Sequence, residues 1–226
     1  NIQDYNFNTN LDTISISMFD TILKNSLKLE ECCVIKNGMK VRKDFVTNKK
    51  VNNFYKRFLL GASVKPFAID YYNKWVCYDK KLEIKFTNQA FRDESIFVAP
   101  QKLLVRQVMG KTKIYGTYDE NQYYVDQSVY ILLPLQKNLT LKYILGLINS
   151  RLMFYYFSKV FSDRKTTFPK IKGVQISNLP IRTIDFTNPA EKKKHDEIVK
   201  HVETMLELNK ELQKTKPGEE QERLKQ

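Results

Sequence analysis

The chain has 226 residues, 42% of them hydrophobic, which suits one large domain or one domain with an appendage and argues against a disordered polypeptide. Its 38 Lys and Arg against 25 Asp and Glu leave a net charge of +13, pointing to a polyanionic partner, nucleic acid ahead of an anionic membrane surface. No apolar run reaches membrane-spanning length.

The chain opens at Asn1 on a polar, Asn-rich stretch without the charged and apolar regions of a signal peptide, an opening expected of a fragment or a processed chain. Residues 1–30 read as a lead-in segment. Within it, Met18, Phe19, Ile22, Leu23, Leu27 and Leu29 recur near helical spacing, which predicts a short amphipathic helix from about Met18 to Leu29. Cys32 and Cys33 are adjacent and Cys77 is remote, so the cysteines give neither a disulfide framework nor a zinc-ligand spacing, and a reducing compartment is expected. From Cys32 to Phe97 the pattern changes to short strands separated by polar turns. Asn37-Gly38 reads as a turn, and FAIDYYNKWVCYD as strand, turn, strand.

KLLVRQV, KIYGTYD and VDQSVYILLP supply further strands. After a cap signal at Asn138 to Thr140, the segment from Leu141 to Phe161 is apolar nearly all round and predicts one buried helix, the spine of the core. The loop SDRKTTFPKIKG follows, and ISNLPI reads as a last strand ending at Pro180. Asn188-Pro189 is a helix start, beyond which Ile198, Val202, Met205, Asn209 and Leu212 alternate at four and three residues, as in a coiled-coil seam. About two to three heptads are too few for a stable free helix, so this segment must dock, on another helix or on its own domain. These readings predict an α+β fold: a twisted mixed, mostly antiparallel β-sheet with a buried helix against it and a C-terminal amphipathic helix outside. They divide the chain into a lead-in (1–30), a main domain (31–183), a terminal helix (184–214) and a flexible tail (215–226).

The charge is clustered. Lys36 to Lys65 holds nine Lys or Arg against Asp44 alone, Lys102 to Ile114 holds four with no acid, and Arg151 to Lys172 holds six against Asp163. Clustering of this kind suits a groove that tracks phosphates, the plainer alternative being solvated loop faces. Lys40, Arg42, Lys43, Lys65, Arg106, Gln107, Lys111, Lys113, Arg164, Lys165, Lys170 and Lys172 are the candidate DNA-binding residues. Among them Arg42, Arg106, Gln107 and Arg164 have side chains able to fork onto a base edge. For Arg106 an ion pair with Asp119 or Asp126 is the competing structural role.

Three constellations imitate catalytic sites. Asp70, Glu83 and Lys85 have the spacing of a metal-dependent nuclease, which makes such an enzyme the first alternative; the plain reading is outward alternation on an exposed strand. His195 and His201 are six residues apart, off the spacing that puts two ligands on one helix face, and read as solvated. Cys32 and Cys77 have no neighbouring His to act as base and read as small core residues. With seven Gly and no GxGxxG there is no nucleotide fingerprint, so no catalytic residue, metal ligand or cofactor is assigned to this chain. A helix-mediated protein-interaction module built on the Ile198 to Leu212 seam is the second alternative.

In order, IKNGMKVRKDFV, KRFLLGASVKPFAIDYYNKWVCYD, KLLVRQV, TYDENQYYVDQSVYILLP, LKYILGLINSRLMFYYF and KTTFPKIKGVQISNLPI resemble the TaqI-like C-terminal specificity domain, the target-recognition domain of restriction-modification adenine-N6 DNA methyltransferases. More distantly they are similar to the specificity subunits of type I systems. The opening turn departs from the family, with Gly38-Met39-Lys40-Val41-Arg42 where relatives carry Gly-x-x-Thr-Gly. The resemblance implies sequence-specific recognition of double-stranded DNA by a non-catalytic fragment in a bacterial cytoplasm. It also implies a parent methyltransferase/restriction endonuclease, with a methyltransferase domain in the same polypeptide that binds S-adenosylmethionine and flips the target adenine, and often a nuclease domain.

Overall fold

The computed structural model describes residues 13–82, 90–135, 139–161 and 170–215. In chain order the strands are β1 (Ser26–Lys28), β2 (Cys33–Asn37), β3 (Val46–Thr47), β4 (Tyr55–Leu59), β5 (Val64–Lys65), β6 (Ala68–Ile69), β7 (Trp75–Cys77), β8 (Lys102–Arg106), β9 (Gly116–Asp119), β10 (Tyr124–Val125), β11 (Val129–Pro134) and β12 (Pro180–Arg182). Helices include α1 (Thr13–Lys24), α2 (Leu29–Cys32), α3 (Ser95–Val98), α4 (Leu141–Ile148), α5 (Arg151–Val160), α6 (Gly173–Ser177) and α7 (Pro189–Lys214), with short 3-10 turns at Lys43–Phe45 and Gly61–Ser63.

The strands form the predicted mostly antiparallel arrangement, split between two four-stranded sheets and two ribbons. The central sheet, in the order β2-β11-β8-β9, is antiparallel throughout. The second, β10-β4-β7-β3, is antiparallel except where β10 runs parallel to β4. Strands β8 and β11 read as nearly unbroken apolar runs because both of their faces are buried. Leu103, Val105, Tyr130 and Leu132 pack under Ile144, Leu145, Ile148 and Phe157 of α4 and α5. Leu104, Val129 and Ile131 face the other way, onto Phe58, Val76, Phe97 and Tyr124.

The apolar stretch from Leu141 to Phe161 is two helices and not one. Ser150 caps α5 by accepting the Met153 N–H at 3.0 Å, and Asn149 turns its carboxamide out of the helix to the backbone of Gly116. Periodicity could not show this break, since caps compete with the helix through local hydrogen bonds that leave hydropathy unchanged. The amphipathic helix near the start also lies earlier than its apolar spacing indicates, at Thr13–Lys24, with Leu27 on β1 and Leu29 on α2. Phe19 is its buried anchor, against the Tyr156 ring at 5.2 Å.

Asn37-Gly38 is not a hairpin turn. The chain leaves the central sheet there, and a Cβ on Gly38 would sit 2.1 Å from the Asp126 carbonyl, so the close backbone approach explains the glycine. The last strand begins at Pro180, where the sequence pattern ends it, and pairs with β1 in the lead-in segment (Ser26 opposite Arg182); the residues before it form α6.

The terminal helix starts as predicted, with the Asn188 side chain accepting the Ala190 N–H and Pro189 in the first turn. It docks on its own domain. Ile198 and Val202 lie over Gly146 of α4, where a Cβ would come within 2.8 Å of the Ile198 methyl. Met205 of the predicted seam points outward, and Leu206 takes the inward place. His195, expected to be solvated, is buried between the Tyr143 and Phe186 rings, its Nδ1 2.9 Å from Asp196.

Candidate nucleic-acid interface

The central sheet has one end at which Asn37, Val129, Arg106 and Gly116 lie side by side, as the pairs Tyr130–Asn37, Val129–Arg106 and Val105–Gly116 require. Basic segments far apart in sequence meet at this end. Beyond β8, Gln107 to Tyr115 form a hairpin closed by Arg106 N–H to Tyr115 O at 2.9 Å and Gly110 N–H to Lys113 O at 3.0 Å, with Lys111 and Lys113 exposed at its tip. A Cβ on Gly110 would lie 2.5 Å from the Tyr115 ring, so the glycine lets that ring pack over the hairpin. Lys170 bridges Val108, and the Ile171 N–H donates to Gln107 O at 2.8 Å, which brings exposed Lys170 and Lys172 beside the hairpin. The buried Tyr130 hydroxyl secures this crossing by donating to Ile171 O at 3.0 Å.

On the other side, the chain leaving β2 carries Lys40, Arg42 and Lys43. Gly38 N–H donates to Val129 O at 2.9 Å and Met39 N–H to Val125 O at 3.0 Å, so this segment departs from the same sheet end. Between the two groups stands the turn Asp126-Gln127-Ser128. Lys65 is on the β5–β6 ribbon, which reaches this end through Phe67 N–H to Gly116 O at 2.9 Å. Arg164 and Lys165 lie outside the described residues.

Several cations of the basic runs have structural partners. Arg42 forks onto Asp44 through Nε at 3.0 Å and Nη2 at 2.8 Å, and that hydrogen bonding holds the Asp44 carboxyl below the usual carboxylate range. Arg57 lies 4.7 Å over the Tyr123 ring and donates to Asn121 O at 2.6 Å. Lys65 faces Asp70 at 3.9 Å and Lys56 faces Glu94 at 3.9 Å. Lys102, counted within the second basic run, is fully buried: its Nζ donates to Phe97 O at 2.6 Å and pairs with Asp119 at 2.7 Å. Desolvation lowers its pKa against the pull of Asp119.

Arg106 does not take either anticipated partner. Lys102 occupies Asp119, the Asp126 carboxylate accepts the Ser128 N–H and hydroxyl, and the Arg106 guanidinium lies 5.7 Å over the Tyr115 ring. Gln107 spends its amide donor on Gln127 O at 2.7 Å. Reading residues one by one missed Tyr115 as a platform for Arg106 and missed Gln127 altogether. The Asp-x-Ser spacing of Asp126 and Ser128 is the local turn signal that could have found the latter.

Of the nuclease-like set only Asp70 is among the described residues. Asp70 accepts from Tyr72 and Gln213, each at 3.3 Å, while Glu83 and Lys85 lie outside the described residues. Among the described residues no group of three His, Cys, Asp or Glu could hold a metal, and no helix is long and apolar enough to cross a membrane.

A family model described as the TaqI-like C-terminal specificity domain matches residues 56–181. No curated protein matches the sequence. The backbone is similar to solved structures from restriction-modification systems. One, from a study of complex assembly and conformational transition of the type I system, has a TM-score of 0.49 at 13% identity, over 88% of this chain and 42% of that one. The HsdS subunit from Thermoanaerobacter tengcongensis gives 0.46 at 12% identity, over 93% of this chain and 47% of its own length. The type IIL restriction-modification enzyme MmeI in complex with DNA gives 0.53 at 12% identity, over 86% of this chain and 29% of the enzyme. The chain thus spans less than half the length of each protein, and the MmeI likeness speaks to the fold alone.

Proposed function

The chain belongs to the TaqI-like C-terminal specificity domain family, and on that premise we propose that it recognises a double-stranded DNA sequence for a restriction-modification enzyme and is itself non-catalytic. The observation that carries this reading is the convergence of Arg106, Lys111, Lys113, Lys170 and Lys172 with the Lys40 to Lys43 segment at one end of the central sheet. Lysines on exposed turns suit phosphates, as mobile point charges that fix position and affinity without reading sequence. The sheet supplies a rigid base for the turns between them, which is what base reading requires.

Methyl transfer belongs, in this reading, to a methyltransferase domain of the same polypeptide. That domain would bind S-adenosylmethionine and accept the flipped adenine, for which this chain has neither an Asn-Pro-Pro-Tyr motif nor a glycine-rich fingerprint. The working place of such a protein is the bacterial cytoplasm.

The test is retention of a random-sequence duplex pool by the chain at low and moderate salt, followed by sequencing of the retained DNA. Salt-sensitive retention with an enriched short motif is expected. Absence of retention at both salt concentrations overturns the reading.

A further inference from the structure

We propose that Gln127 is a specificity-determining residue, reading an adenine edge in the major groove; this rests on the DNA-recognition reading above. Gln127 occupies the middle of the sheet end, between the β2 exit with Lys40 and the β8 hairpin with Arg106. Its turn is tied to both. On one side Met39 pairs with Asp126, and on the other Gln107 N–H donates to Ser128 O at 2.9 Å while the Gln107 amide donates to Gln127 O at 2.7 Å.

The turn is also held from below. Asp126 N–H donates to Leu59 O at 3.0 Å, the Asp126 carboxylate accepts the Ser128 N–H, and Gly38 and Gly61 are glycines against which Asp126 and Ser128 pack at distances no Cβ would allow. A backbone fixed from several sides places its one outward side chain reproducibly, and that side chain is exposed Gln127.

Among the described residues, Arg42 is held by Asp44 and the Gln107 donor by Gln127 O, while Arg106 lies over the Tyr115 ring; Arg164 lies outside the described residues. The Gln127 carboxamide makes no hydrogen bond to any described residue, so none of these takes its donor or its acceptor. That pair, side by side on one planar group, matches the N6 donor and N7 acceptor of adenine in the major groove, whereas A·T and T·A pairs show only acceptors in the minor groove.

The test uses the full chain with Gln127→Cys and duplexes that carry an activated disulfide tether, either on adenine N6 in the major groove or on guanine N2 in the minor groove. The unsubstituted chain sets the background from Cys32, Cys33 and Cys77, and Lys193→Cys on the first turns of α7 is the surface control. The adenine-tethered duplex is expected to crosslink to the Gln127→Cys chain at least about ten-fold more than to either control, and the guanine tether is expected to stay at background. Background crosslinking at position 127 by a chain that still retains duplex overturns the inference and leaves the DNA-recognition reading standing. Loss of all salt-sensitive retention overturns both. In a pool from which the native chain has selected a motif, Gln127→Ala is expected to lower adenine preference at one position at least about five-fold with total retention unchanged. An unaltered motif also overturns the inference.

Discussion

The Lys102 ammonium lies 2.7 Å from the Asp119 carboxylate with both side chains wholly buried, and this pair organises the loop that follows β9. Asp119 also accepts the Asn121 N–H at 2.8 Å and the Tyr123 N–H at 3.0 Å, so one carboxylate satisfies a buried cation and shapes the loop. Lys102→Met leaves that carboxylate buried without its counter-ion. The expected loss is about 3 to 5 kcal/mol, with a smaller loss for Lys102→Met combined with Asp119→Leu. Urea denaturation of the single and double variants measures both.

Asn149 holds the start of β9 by a two-way exchange with Gly116, accepting its N–H at 2.8 Å and donating to its carbonyl at 2.9 Å. Asn149→Ala leaves the N–H of Gly116 without its partner in a buried place, at a cost of about 1 to 3 kcal/mol. Faster hydrogen exchange at Gly116 and a lower denaturation midpoint are the expected readouts.

Reversing Lys111 and Lys113 to Glu is expected to weaken DNA binding about equally for all sequences. The slope of log affinity against log salt should become shallower by about two, near 0.9 for each phosphate that is no longer neutralised. Lys192 and Lys193, which pair with Asp196 and Glu197 on α7, provide the comparison; their reversal should leave the slope unchanged. Binding titrations across a salt series decide between these outcomes.

Asp44 draws the Arg42 guanidinium away from a polyanion. Asp44→Asn removes a negative charge and releases that hold, so affinity for duplex at low salt should rise about two- to five-fold, with the gain vanishing at high salt. An unchanged or lower affinity in fluorescence anisotropy would place Arg42 outside the interface.

Burial, with a smaller contribution from Cys32, pushes the Cys33 thiol up to about 12, and burial likewise pushes the Tyr143 hydroxyl up to about 12. In the unfolded chain these groups ionise at about 8.5 and about 10. A group whose pKa is raised on folding stabilises the fold fully below its unfolded value, and that contribution is lost as pH climbs through the folded one. Stability should therefore fall between about pH 8.5 and 12, each group adding a slope of at most about 1.4 kcal/mol per pH unit. Cys33→Ala should remove its share of the slope, as measured by urea denaturation at several alkaline pH values.

The strands at Lys102–Arg106 and Val129–Pro134, the start of α7 at Asn188-Pro189 and the order of motifs that marks the family were legible in the sequence. Each depends on neighbouring residues alone: burial of both strand faces writes a continuous apolar run, and a cap writes a polar residue before a proline. The charge runs were legible too, but not which of their members face outward. Lys102 has the same composition signal as Lys111, and only the Asp119 carboxylate, arriving from the next strand, makes one a core residue and the other a tip.

The candidate interface itself was decided by tertiary structure. Lys170 stands beside Val108, and Gln127 between the exits of β2 and β8, because backbone hydrogen bonds join segments distant in sequence. The break at Asn149 likewise answers to Gly116 on another strand. The sequence by itself determined the family, the polyanion-seeking charge and the main elements, since these follow from local pattern and composition. Which cations are neutralised, which are buried and which residue stands at the centre of the sheet end depends on partners that no local pattern contains.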